Sequence, residues 1–309
     1  MQKKKSVVLI VLSMAISLCA CGGDHSSTVQ NSKLEQNDSR TTQTENMEKN
    51  VENDHESFSA KNISQGDLRK EVFALVSSAE NSTIDYSKEY GYIQDIGDGR
   101  GYTAGIIGFT SGTGDMLDVV RRYTQLKPDN ELSKYIPALK SVVWTDSHKG
   151  LGEAFVKAWK EAATTDEMIQ AQNDILNQQY MNPAIKYAGE DDLSPLGQYI
   201  YYDALVVHGS GDSDDCFEAI RNAALKECDS PASGGDEETF LTAFLDARVL
   251  VMQMEEAHSD LSRLDTQRKL LAEKNYALTL PFSWTMYGDP FTLTEDDIRK
   301  LPGVHDGSQ

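Results

Sequence analysis

Apolar positions with a helical period first appear well inside the chain, after a long polar segment. Residues 67–81 carry apolar side chains every three or four positions, which predicts an amphipathic helix with Glu80 near its C-terminal end. Two runs of β-branched and aromatic residues follow, at 90–96 and 102–109. The segment between them, 97–101, is rich in glycine, so we predict a short β-hairpin here.

Helical periodicity dominates the rest of the chain. Further helices are predicted near 114–126, 131–141, 150–163, 166–180, 194–208, 214–227 and 236–274. The last of these is apolar on more than one face, which indicates a buried or interlobe helix, either straight or kinked. The strand and helix alternation of a doubly wound α/β fold is missing. The pattern therefore predicts a mainly α fold with a small β-hairpin.

The N-terminus has the features of a targeting segment. Lysines at 3–5 precede an apolar run at 7–18, which ends in small residues. This order is typical of a secretory signal peptide, and the run is shorter than the roughly 20 residues of a transmembrane helix. Residues 18–21 resemble a bacterial lipobox, so Cys21 is the candidate for lipidation and 1–21 for a lipoprotein-type signal, with an ordinary signal peptide as the alternative. We expect an exported protein that touches the outer face of a membrane only through lipid.

The segment 22–58 is polar and almost free of apolar residues. It cannot bury enough surface to offset the entropy of ordering, so we predict a disordered tether. The folded domain is then 59–309, with about 250 residues. That length suffices for one large lobe or for two modest lobes that share a cleft.

The charge balance of the chain is strongly acidic. The chain has 29 Lys and Arg against 49 Asp and Glu. Residues 1–56 hold 6 of the basic and 8 of the acidic residues. The rest of the chain therefore has 23 basic and 41 acidic residues, a net charge of −18. This charge disfavours nucleic acid and anionic wall polymers and favours a cationic partner, unless it serves only solubility.

Cysteine usage and known motifs limit the chemistry further. Outside the signal segment only Cys216 and Cys228 remain, and a disulfide between them stays open, since a straight helix would hold them apart. A P-loop, a dinucleotide glycine fingerprint, an HExxH helix and a CxxC pair are all missing from the sequence. We therefore predict no metal, nucleotide or organic cofactor.

Two carboxylates near the predicted hairpin suit general acid–base chemistry. Cleavage of a glycosidic bond needs an acid that protonates the leaving oxygen and a base or nucleophile on the other side. Glu80 ends a helix next to an apolar surface, and Asp98 lies in the glycine-rich turn. On the residues alone, the ordinary explanations are favoured, with Glu80 as a surface acid at a helix end and Asp98 as a turn former.

Four segments around these residues resemble one enzyme family. They are SSAENST at 77–83, YGYIQDIGDGRGYTAGIIGFTSGTGDM at 90–116, YIPAL at 135–139 and LGQYIYYDALVVHG at 196–209. The chain is similar, over most of 65–290, to the family 46 glycoside hydrolases, the chitosanases. The resemblance implies a mainly α (α+β), lysozyme-like fold with two helical lobes around a substrate cleft. It also implies inverting endo-hydrolysis of chitosan without a cofactor, and we expect a monomer.

The resemblance implies roles for individual residues. Glu80 in SAEN matches the general acid of the family, and Asp98 in GDGRG matches the carboxylate that activates water. Thr103 matches a threonine that positions this water, with an ordinary strand residue as the alternative. Asp115 matches a substrate-binding acid that would meet a glucosamine ammonium, and it could also cap the next helix. Arg100 is a weaker candidate for a contact with substrate and for positioning the Asp98 loop.

Three further residues match a buried ion network behind the general acid. They are Asp203, Arg248 and Arg263, which would otherwise be ordinary helix-surface charges. A guanidinium near Glu80 would orient its carboxyl group and shift its proton affinity. Less secure matches, which either line the cleft or pack in the core, are Tyr92, Tyr180, His208 and Glu255.

Two other functions remain open at this point. A peptidoglycan-cleaving lysozyme relative would share the fold, but its anionic substrate suits the charge poorly. A surface-tethered carbohydrate-binding lipoprotein without catalysis would explain the lipobox and the tether. Such a module does not need paired carboxylates across a cleft.

Overall fold

The computed structural model describes residues 62–254 and 260–303. The predicted signal segment, Cys21 and the predicted tether lie outside the described residues, and so does Glu255. Their roles stay predictions. Within the described part of the chain, no helix combines the length and the apolarity needed to cross a membrane.

Helices make up most of the fold. The α-helices are α1 (Gly66–Asn81), α2 (Asp115–Leu126), α3 (Ile136–Val142), α4 (Glu153–Ala162), α5 (Asp166–Leu176), α6 (Asn182–Glu190), α7 (Pro195–His208), α8 (Phe217–Glu227), α9 (Glu237–Met252), α10 (Ser262–Ala272) and α11 (Glu295–Lys300). The strands are β1 (Ile93–Asp95), β2 (Tyr102–Ala104), β3 (Phe109–Thr110), β4 (Phe282–Met286) and β5 (Asp289–Leu293). The mainly α fold predicted from the sequence is confirmed.

The predicted hairpin is confirmed, and a third strand extends it. β1 and β2 pair antiparallel, with Ile93 opposite Ala104, and β3 pairs with β2. A second hairpin, β4 and β5, was not predicted. Its turn residues Tyr287 and Gly288 both have positive φ, as a tight two-residue hairpin turn requires.

The predicted single helix at 236–274 is wrong. The chain forms two helices, α9 and α10, because α9 ends at Met252 and α10 begins at Ser262. Asp260 accepts a hydrogen bond from the Ser262 backbone N–H at 2.8 Å. A short acidic side chain in this position satisfies one of the free N–H groups of a helix start, so it favours a new helix over a kink.

The predicted helix at 166–180 continues further than expected. After α5 the chain makes one π-helical turn, Asn177–Met181, and then runs directly into α6. The Asn177 side chain accepts a hydrogen bond from buried Arg69 at 2.7 Å, which ties this turn to α1. Single π turns often occur at functional sites, and this one supplies two residues to the cleft described below.

The elements form two lobes that meet at α1. In the first lobe α2 packs against α5 beside the three-stranded sheet. In the second lobe α8 packs against α9, and α10 packs against β4. α1 contacts elements of both lobes, and the Trp284 indole of β4 donates a hydrogen bond to Ser78 near its end. Glu80 therefore lies where the lobes join.

The two cysteines lie on either side of α8, and both are free thiols. The Cys216 thiol donates to the Gly211 carbonyl oxygen at 2.9 Å. The helix between them holds the two residues apart, as its length requires. The structure therefore resolves the open disulfide question in favour of reduced cysteines.

α1 also buries a carboxyl group that has no assigned role. Glu71 is only 6% exposed, and its Oε2 atom has no hydrogen-bond partner among the described residues. Burial, together with the nearby Asp67 carboxylate, raises the pKa of Glu71 to about 8. Between its ordinary pKa and pH 8 the native state therefore binds more protons than the unfolded chain, so stability falls as the pH rises through this window.

We expect the substitution Glu71→Gln to stabilise the protein at pH 8 by roughly 2–4 kcal/mol, because it removes the cost of ionising a buried carboxyl. The gain should shrink towards zero as the pH falls to about 4.5. Urea unfolding at several pH values measures this difference. Glu227→Gln, which changes an exposed side chain at the end of α8, is the matched control and should leave the pH dependence unchanged. An equal effect of both variants at every pH would contradict the prediction.

Candidate active site

A cleft of about 670 Å³ lies between the two lobes. One wall consists of the three-stranded sheet and the start of α2, and the other of the ends of α7 and α9 and the start of α10. The π turn adds Gln179 and Tyr180. The lining residues with ionisable or hydroxyl side chains are Glu80, Arg100, Thr103, Thr110, Thr113, Asp115, Asp118, Arg121, Tyr180, His208, Asp260, Arg263 and Tyr287.

The Glu80 carboxylate is placed in the cleft by the end of α1. The helix stops one residue later, and Ser82 turns the chain away with a left-handed φ of 55°. The side chain of Glu80 is about one third exposed. One of its oxygens accepts a hydrogen bond from the Arg263 guanidinium at the start of α10. The carboxylate is therefore held on one side and open to the cleft on the other.

Arg263 links this carboxylate to a buried ion network. Its second terminal nitrogen lies 3.3 Å from an oxygen of Asp203, which is fully buried on α7. The other oxygen of Asp203 accepts a hydrogen bond of 2.7 Å from Arg248, which is also fully buried, on α9. The three residues that were matched to a network are thus in contact, in the order Glu80, Arg263, Asp203, Arg248.

The electrostatics of the network favour the charged forms of Asp203 and Arg263. Burial raises the pKa of Asp203, but the two guanidinium groups outweigh burial and hold this pKa below its ordinary value. Burial lowers the pKa of Arg263, yet attraction by Asp203 and Glu80 outweighs it, so the net shift is upward. For Arg248, burial prevails and lowers the pKa. With Glu80 ionised, the four formal charges sum to zero.

Polar residues that the sequence analysis missed or left aside complete the network. Gln267 donates to Asp203 at 2.7 Å and accepts from Arg248 at 3.2 Å. The Arg248 Nε–H donates to His208 Nε2 at 3.1 Å. His208 lines the cleft, so the network reaches the cleft at both of its ends. Gln267 follows Arg263 by four residues on α10, so the two side chains share a helix face. This spacing was the one indication in the sequence that Gln267 belongs to the network.

Asp98 lies at the tip of the first hairpin, as predicted. Gly97, Gly99 and Gly101 all have positive φ, which lets the chain turn tightly around it. The Asp98 carboxylate accepts hydrogen bonds from the Arg100 backbone N–H at 3.0 Å and from its Nε–H at 2.8 Å. Arg100 lines the cleft, whereas Asp98 is outside the lining and contacts Arg100 in the turn.

Thr103 lines the cleft, and its hydroxyl group has no hydrogen-bond partner among the described residues. Thr103 is on β2 and is 9% exposed. Within the described residues its Oγ1 atom is buried and makes no hydrogen bond. Buried hydroxyl groups normally have a partner, so this one is suited to hold a small polar molecule.

Asp115 is the first residue of α2 and borders the cleft, while Gly114 is the N-cap of this helix. Its carboxylate accepts hydrogen bonds from the backbone N–H groups of Thr110 and Met116 at 2.7 and 2.8 Å, and from the Thr113 hydroxyl at 2.8 Å. Burial raises the pKa of Asp115, although these hydrogen bonds oppose the shift. Burial and the Asp115 carboxylate also raise the pKa of Tyr180, a cleft residue on the π turn.

The remaining candidates have mixed placements. Tyr92 does not line the cleft, and Asp118 and Arg121 line it as an ion pair with an N–O distance of 3.2 Å. This pair was not identified from the sequence, where it has the ordinary spacing of a helix-surface pair. Among the described residues, no group of His, Cys, Asp or Glu side chains is arranged to hold a metal ion.

Comparison with known proteins places this cleft in a family. Residues 74–282 match the model of Glycosyl hydrolase family 46. A chitosanase from Nocardioides sp. (strain N106) is 56% identical over 220 residues, which cover 71% of this chain and 79% of that protein.

Solved structures agree with the sequence comparison. A chitosanase co-crystallised with substrate has a TM-score of 0.72 at 50% identity, covering 74% of this chain and 96% of that one. A chitosanase from Gynuella sunshinyii in complex with chitotetraose has a TM-score of 0.68 at 34% identity, covering 73% of this chain and 96% of that one. The chain therefore belongs to glycosyl hydrolase family 46 and is a glycoside hydrolase.

Proposed function

We propose that this enzyme hydrolyses β-1,4 bonds between glucosamine units within chitosan chains. The relatives above are chitosanases, and one of them was solved with chitotetraose. The observation that carries the proposal is that Glu80, Thr103 and Asp115, which come from separate elements, all line one open cleft. The net charge of −18 outside residues 1–56 also suits a cationic polymer.

Glu80 is the proposed general acid. Its carboxyl group would protonate the oxygen of the leaving sugar while the glycosidic bond breaks. Arg263 already contacts this group, so it orients the carboxyl and stabilises the carboxylate that remains after proton transfer. The buried Asp203 and Arg248 hold Arg263 in place from behind.

Asp98 is the proposed general base. It would take a proton from water that attacks the opposite face of the sugar, which inverts the anomeric configuration. The Thr103 hydroxyl, which has no partner among the described residues, is suited to orient this water. Arg100 fixes the Asp98 carboxylate through its backbone and its guanidinium. An inverting enzyme needs its carboxyls about 6.5–9.5 Å apart, so that water fits between them.

Asp115 is the proposed acid for substrate binding. It lies in the cleft wall, and within the described residues it forms no ion pair with Lys or Arg. Its hydrogen bonds from Thr110, Thr113 and Met116 all go to one oxygen, Oδ1. The Tyr180 hydroxyl also hydrogen-bonds to this carboxylate, so we expect a glucosamine ammonium group to meet Asp115 beside Tyr180.

The proposed substrate predicts a strong effect of salt. We expect KM for chitosan to rise several-fold between about 0.05 and 0.5 M NaCl, because salt screens the attraction between cleft acids and ammonium groups. The value of kcat should change little, since the proton transfers occur within the cleft. Initial rates of reducing-end release measure both constants.

Peptidoglycan and fully N-acetylated chitin oligomers are the comparison substrates in the same assay. Rapid cleavage of peptidoglycan with little action on chitosan would favour the lysozyme-type alternative. Salt-sensitive binding of chitosan without any new reducing ends would favour a carbohydrate-binding protein. Either outcome would overturn the proposed function.

A further inference from the structure

One tryptophan of this protein is held in an exposed position next to the cleft. Trp144 follows α3, and 86% of its surface is exposed. The other two tryptophans, Trp159 and Trp284, are 0% and 3% exposed. Large aromatic side chains are usually mostly buried, so the exposure of Trp144 calls for an explanation.

The backbone around Trp144 is firmly fixed. Its N–H donates a hydrogen bond to the Gly112 carbonyl oxygen at 2.7 Å, and the N–H of Thr145 donates to Val142 at 3.0 Å. A Cβ atom at Gly112 would lie 2.7 Å from the carbonyl oxygens of both Arg100 and Thr145, so these segments pack backbone to backbone. The exposure of the indole is therefore set by a rigid support and not by a loose loop.

The conformation of Trp144 is also unfavourable for its residue type. Its φ of 66° lies in the left-handed region, which a bulky side chain rarely adopts. Neither this conformation nor the exposure of the ring stabilises the fold. Unfavourable backbone conformations on a rigid support are commonly found at binding sites.

Trp144 is adjacent to the wall of the cleft that carries Asp115. The preceding residue, Val143, lines the cleft and lies against Gly114, which directly precedes Asp115. The backbone N–H of Gly112, whose carbonyl oxygen binds Trp144, donates a hydrogen bond to the Arg100 carbonyl oxygen at 2.8 Å. Trp144 therefore directly follows a residue of the Asp115 side of the cleft, and its indole is open to solvent.

We propose that Trp144 is a binding platform for a glucosamine unit at the rim of the cleft, beyond the unit that Asp115 contacts. This inference rests on the proposed function, because it takes the substrate to be a glucosamine polymer. A glucosamine ring presents apolar C–H groups on its faces, which an aromatic ring covers well. Its ammonium group adds an attraction to the ring face that is strongest for tryptophan.

Substitution at Trp144 tests the platform by kinetics. We expect Trp144→Ala to raise KM for polymeric chitosan by about 5- to 10-fold with kcat within about twofold, and Trp144→Phe to have a smaller effect in the same direction. Leu250→Ala, which removes another exposed apolar side chain outside the cleft lining, is the control and should match the unaltered enzyme. An unchanged KM in Trp144→Ala, with an enzyme that cleaves chitosan normally, would overturn the platform while leaving the proposed function intact.

Tryptophan fluorescence tests binding directly, because Trp144 is the one exposed tryptophan whose emission a ligand at the surface can change. In a full-length protein carrying Glu80→Gln to prevent turnover, glucosamine oligomers should change the emission, and adding Trp144→Phe should abolish this change. N-acetylated oligomers, which lack the ammonium group, should produce a weaker response. A response that persists without Trp144 would contradict the platform. No response in the Glu80→Gln protein, together with no cleavage of chitosan by the unaltered enzyme, would overturn the platform and the proposed function together.

Discussion

Replacement of Glu80 by glutamine is expected to lower kcat for chitosan by about 10³- to 10⁴-fold, because the amide cannot protonate the leaving oxygen. KM should change by less than about threefold, since the side chain keeps its shape and its place beside Arg263. Asp98→Asn should lower kcat by about 10²- to 10⁴-fold through loss of the general base. Steady-state kinetics with reducing-end detection measure these values.

Glu161→Gln is the matched control for these variants. Glu161 lies on α4 with an exposed side chain outside the cleft lining, so its substitution should leave kcat and KM unchanged. Circular dichroism should show the native helical content in all variants. A Glu80→Gln enzyme that retains more than about a tenth of the parent kcat would contradict the assignment of Glu80 as the general acid.

Asp203→Asn is expected to destabilise the fold by about 3–5 kcal/mol. Asp203 is fully buried between Arg248 and Arg263, so the variant leaves two buried guanidinium groups without their shared carboxylate. For a domain of this size the loss corresponds to a fall in Tm of about 10 °C. Activity should fall as well, because Arg263 would no longer be held behind Glu80.

The pH dependence of unfolding and a second variant distinguish the loss of the buried Asp203 carboxylate from a general loss of surface charge. Since the pKa of Asp203 is lowered in the folded state, its contribution is present above the ordinary aspartate pKa and is lost as the pH falls through the lowered value. Asp246→Asn, which breaks an exposed pair with Arg268 between α9 and α10, should cost less than about 1 kcal/mol. Thermal unfolding that shows similar losses for both variants would contradict a special role for the buried network.

Much of the fold could be predicted because local patterns determine it. The apolar stripe of α1 is continuous up to Ala79, so its buried face and its end beside Glu80 follow from periodicity. The glycines around Asp98 likewise dictate a tight turn between two β-prone runs. In both places the local preference and the tertiary structure agree.

The incorrect predictions arose where tertiary contacts decide the structure. Apolar residues are frequent on both sides of the break between α9 and α10, so periodicity alone missed the new helix start at Ser262. The π turn depends on the contact between Asn177 and Arg69, which are far apart in the sequence. β4 and β5 are short, and their Tyr287–Gly288 turn lacks the common Asn-Gly signal.

The candidate site was predictable mainly through the family resemblance. Asp203, Arg248 and Arg263 lie on three helices, and no spacing rule connects them. Each is charged and buried, and only the assembled fold shows that their charges and that of Glu80 compensate one another. The exposure of Trp144 could not be predicted from the sequence, because it depends on the backbone contact with Gly112.

The stereochemistry of the first product is the most direct test of the two-carboxylate mechanism. Proton NMR of glucosamine oligomers during early cleavage by the purified protein distinguishes the anomers of the new reducing ends. Attack by water that Asp98 activates, opposite to Glu80, predicts that the α-anomer forms first and that neither Glu80→Gln nor Asp98→Asn produces it at a comparable rate. Initial formation of the β-anomer would contradict this account, since it would require a covalent intermediate on the enzyme.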